Sequence, residues 1–270
     1  MDLTEITYEV GDDHVAVITL NRPDRMNAFS PKMINEWAWA IEQARDDDEV
    51  RVVVVTGAGE RAFCTGADVR AEATGQGVLR NAEAPAVTRN LLRYGVHKVP
   101  RALSLLDKPY IAAVNGAAVG AGMDMASMAD MRFAADTARF GMAYVKVGLI
   151  PGDAGAYYLP RILGVARALD LIWSGDLFNA QTALEWGYVS RVYPAAQLME
   201  EVRAYARRLA QGPSVAIQLA KRLVYRSLET DLDHALDLAQ SAMVIATSTE
   251  DAKEGPRAFV EKRQPVFQGR

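Results

Sequence analysis

Two short segments each follow a run of apolar residues and combine closely spaced glycines with a carboxylate. The first is Ala62–Val69, AFCTGADV, and the second is Val114–Asp124, VNGAAVGAGMD. In the first, Gly66 allows a tight backbone turn and Asp68 can cap a new helix. The amide of Ala67 would then lie at a helix start, where backbone N–H groups have no acceptor within the helix.

The second segment repeats this arrangement after another apolar run. Gly120 and Gly122 permit close backbone approach, and the start of the following helix carries positive potential. Two such amides facing one another would form an oxyanion hole, which stabilises negative charge developing on a carbonyl oxygen. Each segment alone could be a simple strand–turn–helix connection or close packing through small residues. Their recurrence after two buried strands favours the catalytic interpretation.

Apolar runs around these segments predict the elements that position them. Arg51–Thr56 and Pro109–Val114 are continuous apolar stretches of the kind found in strands buried on both faces. Ile6–Val10 and Val15–Leu20 flank a polar turn and predict a β-hairpin. Ser30 and a first-turn proline predict the start of a helix that runs to about residue 45.

The middle of the chain has a weaker pattern. Residues 57–85 are polar and are predicted to be mobile, with helical character only in Asp68–Glu72. Two helical pieces follow, divided at Val99–Pro100 because proline disfavours a helical conformation in the residue before it. Short strands are predicted at 131–134 and 139–140.

A helical pattern dominates the last third of the chain, interrupted by a predicted strand at Tyr188–Val192. The predicted helices are 153–163, 165–173, 180–186, 195–211, 213–229, 231–247 and 249–262. The sequence therefore predicts an α/β protein with a core over residues 1–195 and a helical C-terminal module over residues 196–270.

Composition excludes several classes of protein. The 270 residues carry a net charge of −4, and no basic run suggests a nucleic-acid partner. One cysteine, Cys64, cannot form an internal disulfide, and the N-terminus does not resemble a signal peptide, so we expect a cytoplasmic protein without a membrane partner. The motifs G-x-S-x-G, H-E-x-x-H and C-x-x-C are absent from the sequence. Gly57–Ala62 imitates a dinucleotide-binding turn, but no helix pattern follows it directly.

Phe63–Asp68 and Lys108–Gly116, continued by Gly120-Ala121-Gly122, resemble the two signature segments of the crotonases, the enoyl-CoA hydratase/isomerase family. Supporting matches are Asn21-Arg22-Pro23 with Asn27-Ala28, Gly148–Gly152, Trp186–Val189 and Ala258–Arg263. The resemblance covers nearly the whole chain in the expected order. It implies a spiral of ββα turns with a helical C-terminal trimerisation module, assembled as a homotrimer or a dimer of trimers.

The resemblance also implies which residues do the chemistry. It places the oxyanion-hole amides on Ala67 and Ala121, and the first acid/base position, usually Glu, on Asp124. The second such position, also usually Glu, falls on Tyr144. A tyrosine can donate a proton or hydrogen bond but is a poor base at neutral pH, so two-glutamate hydration is not expected.

A replacement acid is available in the same loop. Some relatives use an aspartate at a position that falls on Gly152, and Asp153 lies one residue beyond it. Asp153 could therefore serve as an acid/base, or it could cap the helix that follows. His97 lies near the predicted cover of the site but has no evident partner in the sequence.

The same resemblance implies contacts to CoA and a reaction class. The CoA-binding positions are Arg25, Asn27, Ala28, Thr65, Gly66, Asp68, Phe259 and Lys262. No metal or redox cofactor is expected, because CoA arrives as part of the substrate. Hydration of a 2-enoyl-CoA to a 3-hydroxyacyl-CoA is the leading expectation. Isomerisation of an enoyl- or dienoyl-CoA and hydrolysis of a CoA ester are the enzymatic alternatives, and an acyl-CoA-binding or RNA-binding relative is the non-enzymatic one. The sequence does not identify the acyl group, whose pocket is expected to lie in residues 69–107.

Overall fold

Strands of two sheets form the framework of the protein, which is represented by a computed structural model describing residues 1–68 and 85–270. The expected helical turn at 68–72 and most of the expected mobile stretch lie outside the described residues. The strands are β1 (Ile6–Val10), β2 (Val15–Leu20), β3 (Val52–Gly57), β4 (Ala62–Cys64), β5 (Tyr110–Val114), β6 (Ala117–Val119), β7 (Met131–Ala135), β8 (Arg139–Gly141), β9 (Phe178–Asn179) and β10 (Arg191–Tyr193).

Helices occupy most of the remaining described chain. They are α1 (Pro31–Asp46), α2 (Pro85–Tyr94), α3 (Lys98–Ser104), α4 (Ala121–Ser127), α5 (Gly155–Leu163), α6 (Val165–Ser174), α7 (Ala180–Glu185), α8 (Leu198–Ala210), α9 (Ser214–Ser227), α10 (Leu232–Thr247) and α11 (Asp251–Glu261). Short 3-10 turns cover Pro23–Arg25, Ala143–Val147 and Ala195–Gln197. The helices expected after residue 153 are confirmed to within a few residues at each end.

The chain alternates between the two sheets in a repeated ββα path. The larger sheet has the order β1-β2-β3-β5-β7-β10, and the smaller has the order β4-β6-β8-β9. Strands β3, β5 and β7 of the larger sheet each lead into the neighbouring strand of the smaller sheet, and a helical segment follows. This path confirms the expected spiral of ββα turns.

Both faces of the larger sheet are buried, as its continuous apolar strands predict. Along β3, Val53 and Val55 face one core together with Trp37 of α1, and Val52 and Val54 face a second core. Helix α8 covers that second face through the side chains Leu198, Val202, Ala206 and Ala210. Helix α8 therefore packs on the sheet, and the domain division near residue 195 stays a prediction.

Three local expectations were wrong. The sequence also predicts a helix that starts after the Asn115-Gly116 turn, but the short strand β6 intervenes and pairs with β4 and β8, so α4 begins only at Ala121. The break between α2 and α3 lies at residues 95–97, and Pro100 sits in the first turn of α3, where its missing N–H costs no helical hydrogen bond.

The third error concerns the strand expected at Tyr188–Val192, which begins only at Arg191. The amides of Tyr188 and Val189 donate to the Ala183 carbonyl at the end of α7, at 2.8 and 3.2 Å, so they close a turn. The ring of Tyr188 points into the core, where its hydroxyl lies 2.9 Å from Ser127 Oγ.

Candidate active site

Two neighbouring parallel strands bring the glycine segments side by side. In the smaller sheet β4 pairs with β6, with Ala62 opposite Ala117 and Cys64 opposite Ala118. Each strand is followed by a glycine in a left-handed conformation, with φ of +83° at Gly66 and +56° at Gly120. This conformation favours glycine because it carries no Cβ. The next amides along the chain are those of Ala67 and Ala121.

The Ala67 and Ala121 amides have the properties expected of an oxyanion hole. A side-chain carbon at Gly66 would lie 3.0 Å from the Ala121 nitrogen, so the two turns are in contact. Within the part of the chain that the structure describes, neither amide donates to a protein acceptor. Two such N–H groups beside one another can receive a developing oxyanion.

Asp124 lies one turn beyond Ala121 on α4 and is completely buried, with 0% of its surface exposed. Its carboxylate fills the space at the start of α5: a side-chain carbon at Gly155 would lie 1.8 Å from Asp124 Oδ1. Among residues 1–68 and 85–270, Oδ1 has no partner with good hydrogen-bond geometry, although the Gly155 and Asp153 amides are close enough to favour the ionised form. Because Asp124 is completely buried, a proton can reach its carboxyl group only by way of neighbouring side chains.

Tyr144 bridges Asp124 to the second acid. Its hydroxyl oxygen lies 2.6 Å from Asp124 Oδ2 and 3.1 Å from Asp153 Oδ2. A phenol has one proton and cannot donate fully to two carboxylates, so the second contact calls for a proton on one carboxyl group. The three side chains thus form one hydrogen-bonded chain.

The pKa values indicate which of these three side chains holds the proton. Burial raises the pKa of Asp124 to about 8, the hydrogen bond from Tyr144 opposes this, and the Asp153 charge adds to it. Burial likewise raises the pKa of Asp153 to about 6, against the hydrogen bond from Tyr144 and the nearby His97. Burial and both carboxylates raise the pKa of Tyr144, which keeps the phenol neutral. Near neutral pH the extra proton therefore resides on Asp124, and Asp153 is ionised.

Asp153 is the acid closer to the surface, with 6% of its area exposed. It does not cap α5, because Ala154 occupies the N-cap position at φ +81° and no side chain caps the helix, so that alternative is wrong. The thiol pKa of Cys64 in β4 is raised to about 12, mainly by burial, and the Asp153 charge contributes. The Asp153 charge thus acts on a residue of β4, the strand that leads to Gly66.

His97 has a partner that the sequence did not reveal. Its Nε2 lies 2.8 Å from the carbonyl oxygen of Gly152, the residue before Asp153. The residues are 55 positions apart in the chain. A contact between distant loops leaves no periodic pattern in a sequence, and the only available signal was the position of His97 near the expected cover of the site.

Most of the residues expected to bind CoA come together beside the first glycine turn. Thr65 Oγ1 lies 3.3 Å from the Met26 carbonyl, the Phe29 amide donates to the Gly66 carbonyl at 2.8 Å, and Asp68 lies 3.5 Å from Arg22. The segments 22–29 and 64–68 are thus adjacent, which places Ala28 next to Gly66. Arg25 is exposed at the end of its 3-10 turn.

Asn27 is held differently from its neighbours. Its side chain is completely buried and its amide donates to the carbonyls of Ala58 and Ala62, at 3.0 and 2.8 Å. The side-chain oxygen accepts from the Arg22 amide at 3.0 Å. The Asn27 side chain is therefore used in fixing the loop that leads into β4.

Phe259 and Lys262 lie apart from this group, at the end of α11. The Phe259 side chain is 85% exposed, and Lys262 ends the helix in a left-handed conformation with φ +54°. The single chain leaves both side chains in solvent.

Two kinds of feature are absent from the described residues. In residues 1–68 and 85–270, no helix is both long and apolar enough to cross a membrane. The same residues contain no cluster of three or more His, Cys, Asp or Glu side chains placed to hold a metal ion.

The ββα spiral, the paired amides and the buried carboxyl chain define a mixed α/β enzyme of the crotonase class. A crystal structure of an enoyl-CoA hydratase from Bacillus anthracis superposes with a TM-score of 0.91 at 33% identity, covering 99% of this chain and 100% of that one. The family model described as enoyl-CoA hydratase/isomerase matches residues 11–270. The chain belongs to the enoyl-CoA hydratase/isomerase family.

Curated relatives share this similarity along their whole length. The short-chain-enoyl-CoA hydratase of Clostridium acetobutylicum is 35% identical over 266 residues, which cover 98% of this chain and 97% of that protein. The 1,2-epoxyphenylacetyl-CoA isomerase of Escherichia coli is 37% identical over 256 residues, 95% of each protein. Relatives with hydratase and isomerase names thus lie at similar distances.

Proposed function

We propose that this protein is a lyase that hydrates a 2-enoyl-CoA thioester to the 3-hydroxyacyl-CoA. The thioester carbonyl oxygen would lie between the amides of Ala67 and Ala121, which stabilise the enolate as negative charge develops on that oxygen. Loss of one such donor typically costs about 10²–10³-fold in rate. CoA enters as part of the substrate, and the proposed chemistry uses no metal or redox cofactor.

The acid chain supplies both proton transfers. The Asp153 carboxylate takes a proton from water while the water oxygen attacks C3 of the enoyl group. The Tyr144 hydroxyl then gives its proton to C2 of the enolate and takes the proton of the Asp124 carboxyl group. Asp153 is now protonated and Asp124 ionised, and transfer back through the Tyr144 hydroxyl restores the starting state. The net reaction adds one water molecule across the double bond.

In this mechanism the role of each side chain follows from how deeply it is buried. Asp153 and Tyr144 meet the substrate, whereas the completely buried Asp124 acts through Tyr144. The observation that carries the proposal is the Tyr144 hydroxyl between two buried carboxyl groups of unequal pKa. Unequal pKa values in a carboxyl pair separate the acid from the base.

Product analysis in deuterated water tests this function. With crotonyl-CoA, the ultraviolet absorbance of the conjugated thioester should fall, and the product should carry one deuterium at C2 and a hydroxyl group at C3. Release of free CoA would instead identify a hydrolase. An unchanged trace together with tight binding of the ester would identify a non-catalytic acyl-CoA-binding protein, and binding of RNA would identify the other non-enzymatic relative.

Isomerisation of an enoyl-CoA is the second candidate function. The Tyr144 hydroxyl links the Asp124 and Asp153 carboxyl groups. These three side chains can therefore remove a proton from one carbon of the substrate and return it at another without water. The similarity to an isomerase of Escherichia coli also supports this candidate. A 3-enoyl-CoA converted to its 2-enoyl isomer faster than crotonyl-CoA is hydrated would favour isomerisation.

We also propose that the chain assembles as a homotrimer or a dimer of trimers and works in the cytoplasm. Helix α10 has no buried residue, and its apolar stripe is open to solvent, with Leu232 71% exposed. Leu236 and Met243 on the same stripe are exposed as well. A stripe of this kind usually marks an interaction surface. Light scattering should give a mass of three or six times 29.5 kDa.

A further inference from the structure

His97 sits in the connection between α2 and α3 and is held there by its own backbone. Its amide donates to the Leu92 carbonyl at 2.9 Å, and its carbonyl accepts from the Arg101 amide at 3.2 Å. The preceding residue, Val96, is buried in the core. The backbone of His97 is therefore held in place, and this fixes the distance between its imidazole ring and the loop that contains Gly152.

The contact with Gly152 shows that a particular nitrogen of the His97 ring carries a hydrogen. Nε2 lies 2.8 Å from the Gly152 carbonyl oxygen. A carbonyl oxygen can only accept, so Nε2 carries a hydrogen and donates it. The apolar side of the same connection also meets this loop, because a side-chain carbon at Gly152 would lie 3.1 Å from Leu92 Cδ1.

The loop held by this contact carries the acid that meets the substrate. Asp153 follows Gly152 directly, and Ala154 after it is held at φ +81°, a conformation that costs a residue with a side chain about 1–2 kcal/mol. Such a conformation persists only when the surrounding contacts impose it. The His97 donor, 2.8 Å from the Gly152 carbonyl oxygen, is one of those contacts.

The electrostatic effect of His97 also supports Asp153 as a base, because it favours the carboxylate form. The nearby His97 lowers the pKa of Asp153, against the effect of burial. Among the described residues, Asp153 also interacts with the Tyr144 hydroxyl, with Asp124 beyond it and with the Cys64 thiol. The neighbouring Lys98 is engaged elsewhere, with its Nζ 2.6 Å from Asn35 Oδ1.

We propose that His97 is a positioning residue, which fixes the Asp153 carboxylate against Tyr144 by donating a hydrogen bond to the Gly152 carbonyl. The inference rests on the proposed function, because it gives Asp153 the role of the base. His97 acts through the loop and does not touch the reacting atoms.

Two variants of the full-length protein test the role of the hydrogen bond. His97→Ala removes the donor, and we expect kcat to fall roughly 10- to 100-fold, since small misplacement of a catalytic group has costs of this order. KM should change less than about 2-fold, because uniform binding of the CoA ester is untouched. His97→Gln keeps an N–H donor at similar reach and should recover most of kcat. Lys98→Ala, which loses an exposed contact next door, is the matched control and should behave as wild type.

Hydrogen exchange gives a readout that does not depend on the reaction. In His97→Ala, amides of residues 148–158 should exchange faster than in wild type, and His97→Gln should restore their protection. Unchanged exchange in His97→Ala would overturn the inference, even if wild-type protein hydrates no enoyl-CoA and the proposed function fails. With active wild-type protein, equal losses of kcat in the Ala and Gln variants would overturn it as well.

Discussion

At the scale of single residues, the site depends on the side chain between the two acids. Tyr144, which the family resemblance aligns with a position usually held by glutamate, connects Asp124 to Asp153 at 2.6 and 3.1 Å. Buried carboxyl groups that share a hydrogen-bonding partner titrate as a unit. The consequence is a proton chain in which the inner acid stores a proton and the outer acid is free to accept one.

Asp124→Asn should remove the stored proton while keeping the size of the side chain. We expect kcat to fall by about 10²-fold or more, with little change in KM, because Asp124 is buried away from the substrate. The wild-type rate should be bell-shaped in pH, with limbs near 6 and near 8 that belong to the coupled pair of Asp153 and Asp124. The variant should lose the upper limb. Near-wild-type kcat with both limbs present would contradict this role.

The same substitution should change the pH dependence of stability. The folded-state pKa of Asp124, about 8, lies above its ordinary value of 3.8. The folded protein therefore binds this proton more tightly, and the stabilising contribution is complete below pH 3.8 and is lost as pH rises through 8. Relative to wild type, Asp124→Asn should gain at least about 1 kcal/mol between low pH and high pH. Thermal unfolding at several pH values measures it, and parallel curves for the two proteins would refute it.

The sequence identified these acids but did not show how they are arranged. Resemblance placed Asp124 and Tyr144, and Asp153 lies one residue beyond a position at which some relatives carry an aspartate. Spacing alone favoured Asp124, since it follows the glycine turn directly on the same helix. Asp124 is completely buried because α4 packs against the start of α5, where Gly155 has no side chain and leaves room for the carboxyl group. Such a contact between distant elements depends on the tertiary fold, which local sequence patterns do not specify.

At the scale of elements, the smaller sheet is what brings the two amides together. Its strands β4 and β6 have three residues each, too short for an alternating pattern to be recognised. The long amphipathic helices α8 to α11 and the apolar strands β3 and β5 could be predicted, because their patterns extend over enough residues. The sequence therefore predicted the frame of the site, and the strand pair that closes it became visible only in the structure.

Gly122→Ala tests the packing that joins α4 to β4. A side-chain carbon at Gly122 would lie 1.9 Å from the Cys64 carbonyl oxygen, so the helix must move away from the strand. We expect a loss of about 1–3 kcal/mol in the free energy of unfolding, and a lower kcat because the Ala121 amide moves with the helix.

The matched control is Gly255→Ala in α11, where the nearest atom to the new carbon is 3.8 Å away, on Phe267. There the helix preference of alanine over glycine, about 0.5–1 kcal/mol, is opposed by the ring of Pro256, which disfavours a helical residue with a side chain before it. Gly255→Ala should therefore change the free energy of unfolding by less than about 1 kcal/mol, and denaturant unfolding of both variants compares the two changes. A Gly122→Ala protein as stable as wild type would show that α4 and β4 can separate freely.

At the scale of the whole molecule, the single chain leaves apolar and basic groups of its last helices in solvent. The spacing of Leu232, Leu236 and Met243 in the sequence predicts an apolar stripe on α10, and the structure leaves these side chains exposed. The order of the family segments along the sequence predicted the fold class. It could not tell whether residues of α11 contact another copy of the chain, since that depends on the proposed assembly.

Lys262→Ala tests the recognition of CoA by the assembled protein. Lys262 is exposed at the end of α11, beside the exposed ring of Phe259, where it could reach the adenosine phosphates of a CoA ester bound to a neighbouring subunit. A partly exposed lysine–phosphate pair is worth roughly 1 kcal/mol and is weakened by salt. KM for the full CoA ester should therefore rise about 5-fold at low salt with kcat nearly unchanged, and the difference should shrink as salt is added.

Two controls separate CoA recognition from support of the fold. The pantetheine ester of the same acid lacks the nucleotide and should not distinguish Lys262→Ala from wild type. Lys253→Ala, on the first turn of the same helix, removes a surface ion pair with Glu250 and should leave KM for the CoA ester unchanged. If Lys262→Ala impairs both esters equally, or light scattering finds that it dissociates the assembly, then Lys262 supports the subunit contact and does not bind the nucleotide. A KM effect confined to the CoA ester in an intact assembly would place the lysine at the phosphates.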